Sequence, residues 1–168
     1  MCIRDRLWAF SLNARDTYEE MYQKYRYDRF FDSFEHYYSL YQSHNLELWT
    51  EYADGKVTKD ELNRQRYLYP LEAVGAGDSV LAKAYEKDSL SVIPTKSRLM
   101  PHVHEVLEYL SPKYNLYILS NGFKELQVHK MRSSGIDNYF KKVVLSDDIG
   151  ILKPWPEIFH FALSATQS

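Results

Sequence analysis

Two short blocks carry the side chains best suited to chemistry, Leu119-Ser120-Asn121-Gly122 and Gly150-Ile151-Leu152-Lys153-Pro154. Each sits just past a hydrophobic, strand-like run, Leu116-Tyr117-Ile118-Leu119 before the first and Val143-Val144-Leu145 before the second. In open α/β sheets, ligands bind where strands end. A Ser followed by backbone N–H groups, together with a Lys, can hold a phosphate: hydroxyl and amides donate, and the ammonium supplies charge. Ser120, Asn121 and Lys153 are therefore candidate phosphate-binding residues, with Ser120 and Lys153 the candidate catalytic pair. Taken singly, Ser-Asn-Gly is ordinary turn chemistry, and an isolated lysine is a solvated one. Their order within one α/β pattern makes them a site.

The elements that must position them follow from periodicity. From Leu12 to Tyr25, Tyr18, Met21, Tyr22 and Tyr25 recur at helical spacing. Asp32-Ser33-Phe34-Glu35 resembles a capping box opening a helix that runs to Ala53, where Asp54-Gly55 ends it. Thr58-Lys59-Asp60-Glu61 is a second capping box, for a short helix that Pro70 closes. Asp78 is the N-cap expected for Val80 to Lys87. Beyond Ser91-Val92-Ile93-Pro94, helices alternate with short β-like runs: helix 103–110, strand 116–119, helix 124–132, strand 143–145, helix 156–163. Such alternation argues for a parallel sheet with crossover helices. The chain reads as a helical module followed by part of an α/β sheet domain.

Composition sets the outer limits. A chain of 168 residues can bury a real core. A net charge of −2 gives no reason to expect nucleic acid or an anionic membrane as partner. No apolar run approaches the roughly 18 residues of a membrane span, and no hydrophobic h-region follows Met1, so no secretory signal is expected. The single cysteine, Cys2, fits a reducing cytoplasm. The 15 tyrosines, mostly before residue 90, suit amphipathic helices that pack rings and keep hydroxyls at the rim. His102 and His104, two apart, do not share a helix face, so metal ligation there is not expected.

The order and spacing of four blocks resemble the haloacid dehalogenase superfamily. They are Leu119-Ser120-Asn121-Gly122; Gly135-Ile136 with Tyr139-Phe140; Ser146-Asp147-Asp148-Ile149-Gly150; and Lys153-Pro154-Trp155-Pro156-Glu157-Ile158-Phe159. Within that superfamily the blocks look most like the pyrimidine 5′-nucleotidase-like phosphatases with a helical cap, over residues 7–168. The resemblance implies an α/β fold, a partial Rossmann-like parallel sheet with an inserted α-helical cap. Residues 1–10 and 95–168 would be an incomplete core, and 11–94 the cap. It also implies hydrolysis of phosphomonoesters through an aspartyl-phosphate, with Mg²⁺ neutralising charge on the transferring group. Ser120 matches the phosphate-binding hydroxyl, Asn121 N–H a second donor, and Lys153 the bridge between nucleophile and phosphate. Pro154 is expected to start the following helix.

The family's acidic motifs are expected at the two ends. By alignment to Leu7-Trp8, the nucleophile position falls on Cys2 and the acid/base position on Arg4, while Asp5 inherits neither role. The string Met1-Cys2-Ile3-Arg4-Asp5-Arg6 looks like the translation of a sequencing-library adapter, so the native chain is expected to begin at Leu7. The metal-binding acids of the family follow the lysine, beyond Ser168; Asp147 and Asp148 precede it and are not assigned to metal. The expected enzyme is thus a Mg²⁺-dependent, cytoplasmic phosphatase truncated at both ends and inactive as it stands. Its partner would be a small-molecule phosphomonoester, with nucleotides among the candidates. The alternative is a non-catalytic phosphate- or nucleotide-binding regulatory protein.

Overall fold

The computed structural model describes residues 6–166. In chain order it contains helices α1 (Phe10–Lys24), α2 (Phe34–Ala53), α3 (Lys59–Ala73), α4 (Ser79–Val92) and α5 (Val103–Leu110). Strand β1 (Leu116–Ser120), helix α6 (Lys124–Ser133), strand β2 (Phe140–Leu145) and helix α7 (Pro156–Thr166) follow. The class is α/β, helix-rich with a small parallel sheet. The chain divides into two compact units, Ala14–Ile93 and Met1–Asn13 with Pro94–Ser168.

In the helical unit, side-chain caps set where the helices start. Thr58 and Glu61 form the expected capping box: Glu61 N–H donates to Thr58 Oγ1 (3.2 Å) and Thr58 N–H to the Glu61 carboxylate (2.8 Å). The box expected at Asp32–Glu35 is corrected to a simple cap. Ser33 is the N-cap, its hydroxyl accepting from His36 N–H (3.2 Å), so the third helical position holds a histidine and no reciprocal bond forms. Glu35 turns instead to the Arg15 guanidinium, 2.9 Å away. Pro70 does not close α3, which continues to Ala73. The proline removes one bond to the Arg66 carbonyl, but Leu68, Pro70 and Leu71 are buried and α3 packs on both α2 and α4, and this packing outweighs the loss. Asp78 caps α4, accepting from Val80 and Leu81 N–H at 2.9 Å each, and that helix runs past Lys87 to Val92.

The core of this unit is built from tyrosine. Tyr27, Tyr37, Tyr67 and Tyr85 are fully buried, and Tyr27 stacks on Phe31 (5.7 Å) and on Tyr85 (4.7 Å). Several hydroxyls that follow the rings inward find partners: Tyr18 and Tyr41 bond to each other (2.7 Å), Tyr85 donates to the Tyr18 carbonyl (2.9 Å), and Tyr25 donates to Asp88 (2.7 Å). Burial holds Tyr18, Tyr37 and Tyr85 well above the usual phenol range. Tyr25 is pushed up to about 12, by burial first and then by the Asp88 carboxylate.

In the α/β unit, strands β1 and β2 run parallel, with α6 in the connection between them. Pairing is in step from Tyr117↔Lys142 to Ser120↔Leu145, so both strands finish at the same level. Strand β2 starts at Phe140, earlier than its Val143-Val144-Leu145 run indicates, because Lys141 and Lys142 lie exposed on it and hide the pattern. Helix α6 ends in a Schellman stop: Gly135 adopts φ +66°, its N–H donates to the Arg132 carbonyl (3.0 Å), and Ile136 N–H donates to that of Met131 (3.1 Å). The segment around Trp8 pairs antiparallel with that around Leu99, Met100 N–H donating to the Leu7 carbonyl (2.7 Å). The buried Trp8 indole donates to the Lys96 carbonyl (2.9 Å).

Candidate functional site

Strand β1 delivers Ser120 to its C-terminal end, opposite Leu145, and two loops converge there. Asn121 bridges them. Its Nδ2 donates to the Lys153 carbonyl (3.0 Å) and its Oδ1 accepts from Lys153 N–H (2.8 Å), so one amide side chain holds both backbone polar groups of a residue 32 positions away. The Lys153 ammonium donates to the Leu119 carbonyl (2.9 Å), which sets it on the end of β1 beside Ser120. The three candidate residues thus meet at one strand end. Asn121 differs from expectation in its means, because its side chain works as a brace for Lys153.

Ser120 is buried, 1% exposed. Its Oγ accepts from Gly122 N–H (3.2 Å) and from Gln127 Nε2 (2.7 Å). Gln127, on the second turn of α6 and 5% exposed, is the site residue that the sequence reading missed. Gly122 shows why the pair fits: a Cβ at that position would lie 2.1 Å from Gln127 Nε2 and 2.6 Å from its Cδ. The glycine is required for space and not for an unusual φ. The only sequence signal was the spacing of Ser120, Gly122 and Gln127 across a strand end and a helix start.

The N-terminus of α6 is fixed from the β2 side. Asp147 accepts from Lys124 N–H (3.0 Å), and Asp148 accepts from Leu145 N–H (3.1 Å) and from the Lys124 ammonium (2.9 Å). The Lys124 contact, then the Leu145 amide, holds the Asp148 carboxyl below the usual carboxylate range. Two buried polar atoms at these strand ends, Gln127 Oε1 and Ser146 Oγ, have no hydrogen-bond partner. A buried orphan of this kind costs about 1–3 kcal/mol and calls for an explanation in function.

Pro154 does not start the last helix. It follows Lys153 through a cis peptide, in a turn where Trp155 N–H donates to the Leu152 carbonyl (3.1 Å), and Pro156 takes the first helical position. His102 pairs with Glu105 (3.0 Å) on α5. Cys2, Arg4 and Asp5 lie outside the described residues. Among the described residues no three His, Cys, Asp or Glu side chains converge as metal ligands. With Asp147 and Asp148 engaged on α6, the described part of the site does not fit a divalent cation, which wants several carboxylate or carbonyl oxygens.

A parallel strand pair ending in a Ser-Asn-Gly loop braced to a Lys-Pro loop defines a class. The chain belongs to the haloacid dehalogenase-like hydrolase family, whose profile matches residues 7–167. It is 28% identical over 123 residues to the HAD-hydrolase YfnB of Bacillus subtilis, covering 72% of this chain and 51% of YfnB. It is equally 28% identical over 123 residues to the pyrimidine 5′-nucleotidase YjjG of Escherichia coli, covering 73% of this chain and 53% of YjjG. The chain therefore spans about half the length of these curated relatives. Among solved structures, magnesium-bound YfnB superposes with a TM-score of 0.86 at 22% identity, over 97% of this chain and 70% of that one. The L-2-haloacid dehalogenase of Xanthobacter autotrophicus gives 0.69 at 18% identity, over 99% and 63%. At these identities the structural likeness is one of fold.

Proposed function

We propose that this chain carries the phosphate-holding half of a phosphomonoester hydrolase, most like a nucleoside 5′-monophosphate phosphatase. The observation that carries the proposal is the brace that sets Lys153 on the end of β1 beside Ser120. Lys153 presents a compact ammonium with two N–H donors beyond its bond to Leu119, suited to neutralising an oxyanion. Ser120 contributes a hydroxyl and Asn121 the geometry of the lysine. The nucleotidase relatives support a nucleotide as substrate, while the dehalogenase neighbours share only the fold. In this reading the nucleophile would be an aspartate outside residues 6–166, and any Mg²⁺ would have to be held by carboxylates outside those residues, where it would supply positive charge; the described residues contribute the Ser120 hydroxyl and the Lys153 ammonium.

The test is a titration of the 168-residue chain with inorganic phosphate and with uridine monophosphate, alongside turnover assays containing Mg²⁺. Binding without turnover is expected, with affinity lost in Lys153→Met. A chain that binds neither ligand sinks the phosphate reading. Mg²⁺-dependent release of phosphate would overturn the expected inactivity, and release of halide from a 2-haloacid would move the chain to the dehalogenases.

A further inference from the structure

We infer that Gln127 is a positioning residue whose amide fixes the Ser120 hydroxyl as a donor to a bound oxyanion. The inference rests on Ser120 being a phosphate contact and adds the group that decides how it makes that contact. A serine hydroxyl has one proton and two acceptor lone pairs. Gly122 N–H occupies one lone pair and Gln127 Nε2 the other. The proton is then the only bonding capacity left. An ordinary surface serine rotates between accepting and donating, whereas Ser120 has its accepting side filled. A phosphate offers only lone pairs in this exchange, so a hydroxyl locked as donor favours the anion over water, which would as readily donate to it.

The side chain is itself confined. Gln127 is buried on α6, and its N–H donates to the Phe123 carbonyl (3.0 Å). Its carboxamide fills the space above Gly122 that any side chain there would take. The helix beneath it is anchored through Lys124 to Asp147 and Asp148. Turning the amide over would place its carbonyl against Ser120 and draw the hydroxyl proton inward, away from the site. The unpartnered Gln127 Oε1 is what the observed orientation costs.

The experiment measures phosphate affinity of the 168-residue chain by isothermal titration for wild type, Gln127→Met, Gln127→Glu, Ser120→Ala and the Gln127→Met/Ser120→Ala double variant. Gln127→Met keeps the volume and removes the donor; it should weaken phosphate about tenfold, as Ser120→Ala does, with no further loss in the double variant. Gln127→Glu presents only acceptors when ionised and should lose at least about tenfold more. That loss should reverse as pH falls and the carboxyl regains a proton to donate, read with sulfate, whose charge stays constant over the range. Loss of repulsion alone would bring protonated Gln127→Glu only level with Gln127→Met, which has no donor; recovery beyond that level is the mark of the positioning role. Loss in Ser120→Ala with full affinity in Gln127→Met, or additive losses in the double variant, overturns the positioning role alone. No phosphate binding by wild type, or an unaffected Ser120→Ala, overturns the site reading and this inference with it. Should Gln127→Met fail to fold by circular dichroism, Gln127→Glu is titrated at low and neutral pH with and without Ser120→Ala: a smaller recovery without the serine hydroxyl supports the positioning role, and an equal recovery overturns it.

Discussion

The helical unit and the α/β unit place their polar side chains differently. The helical unit turns ring after ring inward: Tyr27, Tyr37, Tyr67 and Tyr85 are enclosed, and several phenols bond to one another or to backbone carbonyls. In the α/β unit of this chain, which spans about half the length of its curated relatives, apolar side chains lie outward. On α7 only Ile158 is buried, while Phe159, Phe161 and Leu163 are exposed, as are Trp155 just before it and Val106 and Tyr109 on α5. At its strand ends polar groups bond in three sets: Ser120 with Gln127, Asn121 with Lys153, and Asp147 and Asp148 with Lys124. One unit invests its polar atoms in its own interior and the other in a site. The two should therefore fail differently.

The sharpest break is Tyr85→Ala. Removing a fully buried ring that stacks on Tyr27 should cost about 3–5 kcal/mol, abolishing cooperative melting of the helical unit, with loss of its helical signal in circular dichroism. Alkali should come next. Phenols held protonated by burial have folded values above their unfolded ones, so their stabilisation is whole below the ordinary phenol value of about 10 and is lost as pH climbs beyond it. Because Tyr18, Tyr25, Tyr37 and Tyr85 all belong to the helical unit, tyrosinate absorbance and loss of its helicity should rise together there. If no part of the absorbance rise coincides with the fall in helicity, the phenols are not coupled to that core.

The α/β unit answers to smaller changes. Gly122→Ala drives a methyl into the Gln127 amide and should cost about 1–3 kcal/mol, with phosphate affinity falling alongside stability; unchanged affinity would separate the site from that packing. Thr58→Ala removes a complete capping box and should cost about 1 kcal/mol in the helical unit, and Ser33→Ala, with a single cap bond, less; thermal melts rank them. At the low end, Phe159→Ser should change folding stability by no more than about 0.5 kcal/mol in a thermal melt, since that ring is already partly in water. Acid completes the contrast. The folded Asp148 value is depressed, so its contribution is present above the ordinary carboxylate range and drains away as pH falls, freeing Lys124 at the start of α6.

Local signals in the sequence carried most of this architecture, because they act through neighbours in the chain. Thr58 and Glu61 sit three residues apart, and the stop at Gly135 needs only its own φ. What stayed hidden depended on distant partners. Pro70 reads as a breaker until the packing of α3 on two helices is known. Glu35 reads as half of a capping box until Arg15 is seen opposite. The types of Ser120, Asn121 and Lys153 pointed to a phosphate site, yet the working end of Asn121 was invisible, since nothing local says its side chain will seek a peptide 32 residues on. Gln127 was hidden for the same reason: its importance lies in the empty volume at Gly122.

The double clasp of Asn121 on the Lys153 peptide also bears on how such a site can diverge. The lysine is located by a bond to its own main chain, so the intervening segment from Ile149 to Leu152 need only span a fixed gap. Its sequence is released from the task of aiming the ammonium. Gly150, at φ +71°, has to stay a glycine, but Ile151 and Leu152 can change without moving the charge, whereas a single change at Asn121 unfastens it. The site is thus anchored at one position and free to vary beside it.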